Sequence, residues 1–213
     1  MKVIFWAELI GTAFLVMVVL GSGVMAQKLF PGQTGLALLT NALATGAGLF
    51  ALIQTLGTIS GAHLNPVVSF VECLWCKINK KKFLIYVVAQ TIGAYLGVLS
   101  VHLMFNLPVF VISNVERSGF NLIYSEVVAT FGLIMVIALS GKKHAEAAPL
   151  SVSAYIAAGY WFTSSTALTN PSVTFARMFT NTFGGMSPNH FLAFVAAQFF
   201  GALVAWFVLK RLK

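Results

Sequence analysis

Four stretches of this chain, residues 29–71, 83–115, 147–176 and 178–209, contain no Asp, Glu, Lys or Arg. Crossing a hydrocarbon core of about 30 Å takes roughly 20 apolar residues in a helix, so each stretch is long enough to span a bilayer. Composition agrees, because the chain is 59% hydrophobic and 8% charged, with no Asp among its 213 residues. A soluble domain carries about 25% charge. The chain is therefore read as a multi-pass membrane protein with several helical spans joined by short loops.

The net charge of +8 would suggest nucleic acid or acidic lipid in a soluble protein, so the charges must first be located. Lys2, Lys77, Lys80, Lys81, Lys82, Lys142, Lys143, Lys210, Arg211 and Lys213 gather at a few span ends. Facing the cytoplasm they satisfy the positive-inside rule, which puts both termini there and leaves Lys28 and Arg117 outside. No nucleic-acid partner is expected. The first apolar run, 3–25, is too long for a cleaved leader and is needed as a span. Cys73 and Cys76 lie near the cytoplasmic lysines, where thiols stay reduced, and imply no disulfide.

Apolar length places spans at 3–25, 35–57, 83–104, 121–140, 149–167 and 190–210. Segments 65–77 and 170–182 remain, each beginning with Asn-Pro. At about 1.5 Å per residue, a helix of ten or twelve residues crosses only about half of a bilayer. Two such half-helices meeting end to end make one span.

An internal repeat supports this reading. "WAELIGTAFLVMVVLGSG" at 6–23 matches "YSEVVATFGLIMVIALSG" at 124–141, aligning Glu8 with Glu126. "YVVAQTIGAYLG" at 86–97 matches "FVAAQFFGALVA" at 194–205, aligning Gly93 with Gly201. With three full spans in each half, the second half enters the membrane inverted. The expectation is one transmembrane domain over 1–213 made of inverted repeats at approximately 1–110 and 115–213, with the functional site near the midplane.

Proline suits a first helical turn and asparagine is a strong N-cap, so Asn65-Pro66 and Asn170-Pro171 could be caps and nothing more. Paired and inverted within apolar spans, they do more. Two helix N-termini aimed at one point focus positive potential, each about half an elementary charge, and repel cations. Asparagine amides pointing N–H groups into a lumen make a passing water present its oxygen. That interrupts a proton-conducting chain.

"SGAHLNPVVSF" and "TNPSVTFAR" resemble the two signatures of the aquaporin and glycerol-facilitator family, with Val67 and Ser172 at the usual alanine positions. The resemblance covers nearly the whole chain. It implies an all-α membrane protein of six transmembrane helices plus two re-entrant half-helices, a homotetramer in the inner membrane with one pore per subunit, and no cofactor or metal. It also implies that Glu8 and Glu126 brace the re-entrant segments and that His63 lines the pore. As intramembrane carboxylates the two glutamates could instead be proton carriers. Gly93 and Gly201 fit close helix packing.

In water-selective members of the family the constriction holds an aromatic residue, a histidine and an arginine. Counting from the motifs, those places carry Thr45, Ala158 and Val173 here, with Ala167 beside them. A wider, less polar constriction is expected. Arg177 lies four residues after Val173, on the same helix face one turn outward. It either lines the extracellular mouth or snorkels to the headgroups. Asn-Pro-small-Val-Thr-x-Ala-Arg also resembles a bacterial subgroup associated with arsenic resistance, which points to neutral arsenic species beside glycerol-sized solutes.

The expected function is a passive channel for small uncharged solutes in a lipid bilayer that excludes protons and ions. A water-selective channel is the alternative within the class, and an ion-coupled transporter lies outside it. No nucleophile–base pair or metal cluster points to an enzyme.

Overall fold

A computed structural model describes residues 1–140 and 147–212. Lys142, Lys143 and Lys213, assigned above to the cytoplasmic charge cluster, lie outside the described residues. The fold is all-helical: α1 (Lys2–Leu29), α2 (Thr34–Ser60), α3 (Pro66–Leu74), α4 (Lys80–Met104), α5 (Phe120–Ser140), α6 (Ala148–Phe162), α7 (Pro171–Arg177) and α8 (Phe191–Arg211). Five of these, α1, α2, α4, α5 and α8, are long and apolar enough to cross a membrane. α6 supplies the sixth crossing and the short α3 and α7 are the half-helices.

The sequence boundaries for the short elements were too generous. α6 stops at Phe162 rather than at 167, α3 stops at Leu74 rather than 77, and α7 at Arg177 rather than 182. An apolar run measures burial, and residues 163–169, most of them buried, are irregular chain rather than helix. Thr166, Ala167 and Thr169 have positive φ, as do Ala62 and Leu64 in the matching segment before α3. Left-handed conformations in single non-glycine residues end a right-handed helix.

The repeat recurs in packing. α1 lies most extensively against α4, and α5 against α8. Both contacts are closest at an aligned glycine. A Cβ added at Gly93 would overlap the Leu9 carbonyl oxygen, and one at Gly201 would overlap the Val127 carbonyl oxygen. Leu9 and Val127 are themselves aligned in the repeat. Without a difference in hydrophobicity between lipid and side chain, helix association in a bilayer depends on such close van der Waals approach.

The half-helices start where the sequence supplies an acceptor. Asn65 Oδ1 accepts the Val67 N–H at 2.9 Å, and Asn170 Oδ1 accepts those of Ser172 at 3.0 Å and Val173 at 3.3 Å. Pro66 and Pro171 occupy the first helical turn, where no N–H is needed.

Gly93→Val and Gly201→Val each force two backbones apart, so each should destabilise the protein by about 1–3 kcal/mol, the usual range for overpacking. Gly57→Ala, at a position with nothing within 4 Å of the new Cβ, should not. Thermal unfolding of detergent-purified protein followed by size-exclusion chromatography separates the three.

Candidate functional site

Each half-helix is preceded by buried, non-helical chain, and inside a bilayer every N–H of that chain needs a partner. Two carboxylates supply them. Glu8 Oε1 accepts from Ser60 Oγ at 2.5 Å and the His63 N–H at 3.0 Å, while Oε2 accepts from the Leu64 N–H at 2.7 Å and Gln90 Nε2 at 2.8 Å. In the other half, Glu126 Oε1 accepts from the Leu168 N–H at 2.9 Å. Its Oε2 accepts from the Thr169 N–H at 2.9 Å and Gln198 Nε2 at 2.7 Å. Every one of these donors except Ser60 has its repeat counterpart. Seven of the roughly eight lone-pair sites of the two carboxylates are thus taken by protein donors, which fits bracing better than proton carriage.

The two lead-in segments meet through the asparagines. Asn65 Nδ2 donates to the Thr169 carbonyl and Asn170 Nδ2 donates to the Leu64 carbonyl, both at 2.8 Å. Each amide therefore caps its own helix with its oxygen and ties the opposite segment with one N–H. Each keeps one further N–H, and both asparagines line a single cavity of about 310 Å³.

The rest of that cavity's wall is mostly aliphatic and follows helical spacing. Leu15 and Val19 come from α1, Leu49 and Ile53 from α2, Leu133 and Ile137 from α5, and Val152 and Ile156 from α6. Residues four apart share a helix face, which is why each pair lies along one wall. The segments 61–64 and 167–169 complete the wall. Glu72 borders the cavity too and pairs with Lys77 at 2.9 Å.

Seven of the twelve pore residues read from the sequence meet here. Thr45, His63, Asn65, Ala167, Asn170, Val173 and Arg177 all line the cavity. Pro66, Val67, Pro171 and Ser172 are buried in the half-helices rather than in its wall. His63 Nδ1 lies 3.0 Å from Ser69 Oγ, with its ring 4.4 Å from that of Tyr86. Tyr86 in turn donates its hydroxyl to the Ser60 carbonyl.

Ala158 does not belong with them. It is exposed on the outer surface of α6 and absent from the cavity wall. The face inward from α6 is Val152, Ile156 and Tyr160. Counting back from Asn170 crossed the irregular 163–169 segment, and an error of two residues turns a helical position by about 200°, to the opposite side. Tyr160 was the residue missed, and the Val152–Ile156–Tyr160 spacing of four was the signal that could have found it. Its hydroxyl lies 3.1 Å from Thr45 Oγ1 and joins the α2 and α6 walls.

Arg177 is 4% exposed and faces the cavity, not the headgroups. Its Nη1 donates to the Gly184 carbonyl at 3.1 Å and its Nε has no protein partner. Cys73 and Cys76 are free, and the described residues hold no group of three or more His, Cys, Asp or Glu suited to a metal.

Glu8→Gln keeps the shape of the brace but replaces one of its two acceptor oxygens with an amide nitrogen that would face donors. Hydrogen bonds to a charged group contribute about 1.5–3 kcal/mol each, so the loss of two should cost roughly 3 kcal/mol or more. The expected outcome is a sharp fall in the yield and melting temperature of purified protein, with a similar fall for Glu126→Gln. Unchanged melting of either variant would remove the bracing role.

Known proteins match this arrangement. Residues 2–169 fit the profile of the family described as "Major intrinsic protein". The aquaglyceroporin AqpS of Rhizobium meliloti is 45% identical over 206 residues, covering 97% of this chain and 88% of that protein. Human Aquaporin-2 is 35% identical over 97 residues, 46% of this chain and 34% of that one. In fold, the crystal structure of the aquaglyceroporin from Plasmodium falciparum superposes with a TM-score of 0.75 at 24% identity, over 95% of this chain and 92% of the other. With its crossed asparagines, its aliphatic lumen and this breadth of similarity, the chain belongs to the major intrinsic protein family, and is a passive membrane channel for water and small neutral solutes rather than an enzyme.

Proposed function

We propose that this channel is broad in selectivity, passing glycerol-sized polyols and neutral arsenic species as well as water, while excluding protons and ions. The observation that carries the reading is the constriction: Thr45, Ala167 and Val173 border the passage and none bears a charge, while the charged group of this wall, the Arg177 guanidinium, stands one helical turn beyond Val173 and meets solute there. A guanidinium at position 173 would narrow that level and demand hydrogen bonds from every solute. Valine does neither. A relative described as an aquaglyceroporin supports the same width.

Ion and proton exclusion follow from the crossed half-helices. Two N-termini converge with their positive ends inward, and the free N–H of each asparagine amide takes a water oxygen. A water held by its oxygen to both cannot accept a proton along the file. With Glu8 and Glu126 occupied by backbone and glutamine donors, both fit bracing better than the proton carriage that a proton-coupled carrier needs.

The remaining particulars belong to the same proposal: inverted repeats dividing near residues 110–115, a homotetramer, an inner-membrane location and both termini in the cytoplasm. Lipid-facing aromatic and aliphatic side chains such as Trp6, Phe14, Leu43 and Phe200 are exposed on the outer surface, available to lipid or to a neighbouring subunit.

Proteoliposomes containing Val173→Arg test the reading. Stopped-flow swelling should show glycerol flux reduced at least about tenfold, the effect of a barrier raised by about 1.4 kcal/mol, with water flux much less affected. Arsenite uptake should fall with glycerol. Equal loss of water and glycerol, or measurable proton current in the wild type, would count against it.

A further inference from the structure

We propose that Arg117 is a positioning residue for solute selectivity: through the turn at 182–186 it sets the Arg177 guanidinium at the lumen wall. The proposal rests on the reading that Arg177 meets solute.

Three successive carbonyls in this turn are taken by two arginines. Arg117 Nη2 donates to the Phe183 oxygen at 3.3 Å and its Nε donates to the Gly185 oxygen at 2.9 Å. Arg177 Nη1 takes the one between them, the Gly184 oxygen, at 3.1 Å. The turn is closed on itself by Gly185 N–H to the Thr182 oxygen at 2.8 Å. It is tied to the end of α7 by Met186 N–H to the Arg177 oxygen at 3.0 Å.

The turn has little room to shift. A Cβ at Gly184 would come within 2.5 Å of Leu20 on α1, and one at Gly185 within 2.6 Å of Ser113 Oγ and into the Thr180 oxygen. Ser113 N–H to the Met178 oxygen and Ser187 N–H to the Val115 oxygen, both at 2.8 Å, hold the 113–117 segment against it. Arg117 therefore reaches the turn from a fixed base.

Neither guanidinium is spent on a carboxylate. The adjacent Glu116 pairs with His190 at 2.6 Å, and the other ion pair among the described residues is at the opposite mouth. Burial, and after it the like charge of Arg177, lower the Arg117 pKa to about 10, so it is still protonated at neutral pH. Two cations held close by a shared set of carbonyls make a rigid unit, since removing either loosens the turn that orients the other.

What the unit sets at the lumen wall is the Arg177 guanidinium, which borders the cavity while its Nε lies shut in behind it without a protein partner. The edge of the guanidinium that borders the cavity is what a passing solute oxygen meets. Its placement depends on the Gly184 carbonyl, and that carbonyl depends on Arg117.

The test compares Arg117→Gln, Arg117→Lys, Arg177→Gln and the double variant Arg117→Gln/Arg177→Gln, full length, in proteoliposomes with flux normalised to channel protein. The readout is the ratio of glycerol to water permeability. Misplacing one solute hydrogen bond corresponds to a roughly three- to tenfold fall in that ratio, expected for Arg177→Gln and for Arg117→Gln. Arg117→Lys keeps the charge and reaches one carbonyl, so it should fall between Arg117→Gln and wild type. It also carries the test if Arg117→Gln yields no folded protein. In the double variant the ratio should equal that of Arg177→Gln alone, which a merely structural arginine would not produce. Additive effects, or equal losses of water and glycerol in the Arg117 variants, overturn the positioning role. An unchanged ratio in Arg177→Gln overturns the underlying reading of Arg177. A changed ratio there with none in the Arg117 variants overturns only the link between them.

Discussion

The fold depends on two carboxylates taking the N–H groups of chain that has stopped being helical inside the membrane. Half-helices cannot exist without lead-in segments, and those segments contain left-handed residues at Ala62, Leu64, Thr166, Ala167 and Thr169. Strained backbone of this kind costs on the order of 1 kcal/mol or more per residue, and each unpaired N–H in hydrocarbon costs several more. Glu8 and Glu126 offset both by accepting from consecutive backbone amides, His63 and Leu64 in one half, Leu168 and Thr169 in the other. A buried charge is itself expensive, and it is tolerable only because almost every lone pair is used.

With the donors of these segments turned toward the glutamates, the segments can border a lumen instead of collapsing into a helix. The asparagine amides then join the halves, each donating to the last carbonyl of the opposite lead-in segment. Bracing, capping and proton exclusion thus share the same few groups. A substitution at Asn65 or Asn170 cannot alter the water file without also loosening a helix cap.

Much of this was legible in the sequence because it rests on residue types with narrow uses. Asn-Pro names a helix start, a glutamate in an apolar span names a set of internal donors, and aligned glycines name a close helix crossing. The repeat then fixed their relation. Where reading failed, the reason was irregular chain. Ala158 was placed by counting through 163–169, which has no helical period, and the inward residue proved to be Tyr160. The ends of α3, α6 and α7 were overrun for the same reason, since apolar composition continues after the helix stops. For Arg177 the spacing from Val173 left two readings open, the pore mouth and the headgroups, and its anchor at Gly184 depends on a turn that no periodicity describes.

The lumen is asymmetric in chemistry around its axis. Polar groups come mainly from segments 61–65 and 167–170, from Arg177 and from Glu72 of α3, while α1, α2, α5 and α6 present mainly aliphatic side chains. A water molecule gains little from the aliphatic side, but a small polyol can turn its hydroxyls to one wall and its carbons to the other. The Thr45–Tyr160 contact is the exception, a pair of hydroxyls set within the aliphatic wall. That pair keeps one O–H and several lone pairs free, a single polar point in an otherwise aliphatic wall. Selectivity in such a channel is then governed by how firmly the polar side holds its donors in place, more than by how many charges it carries.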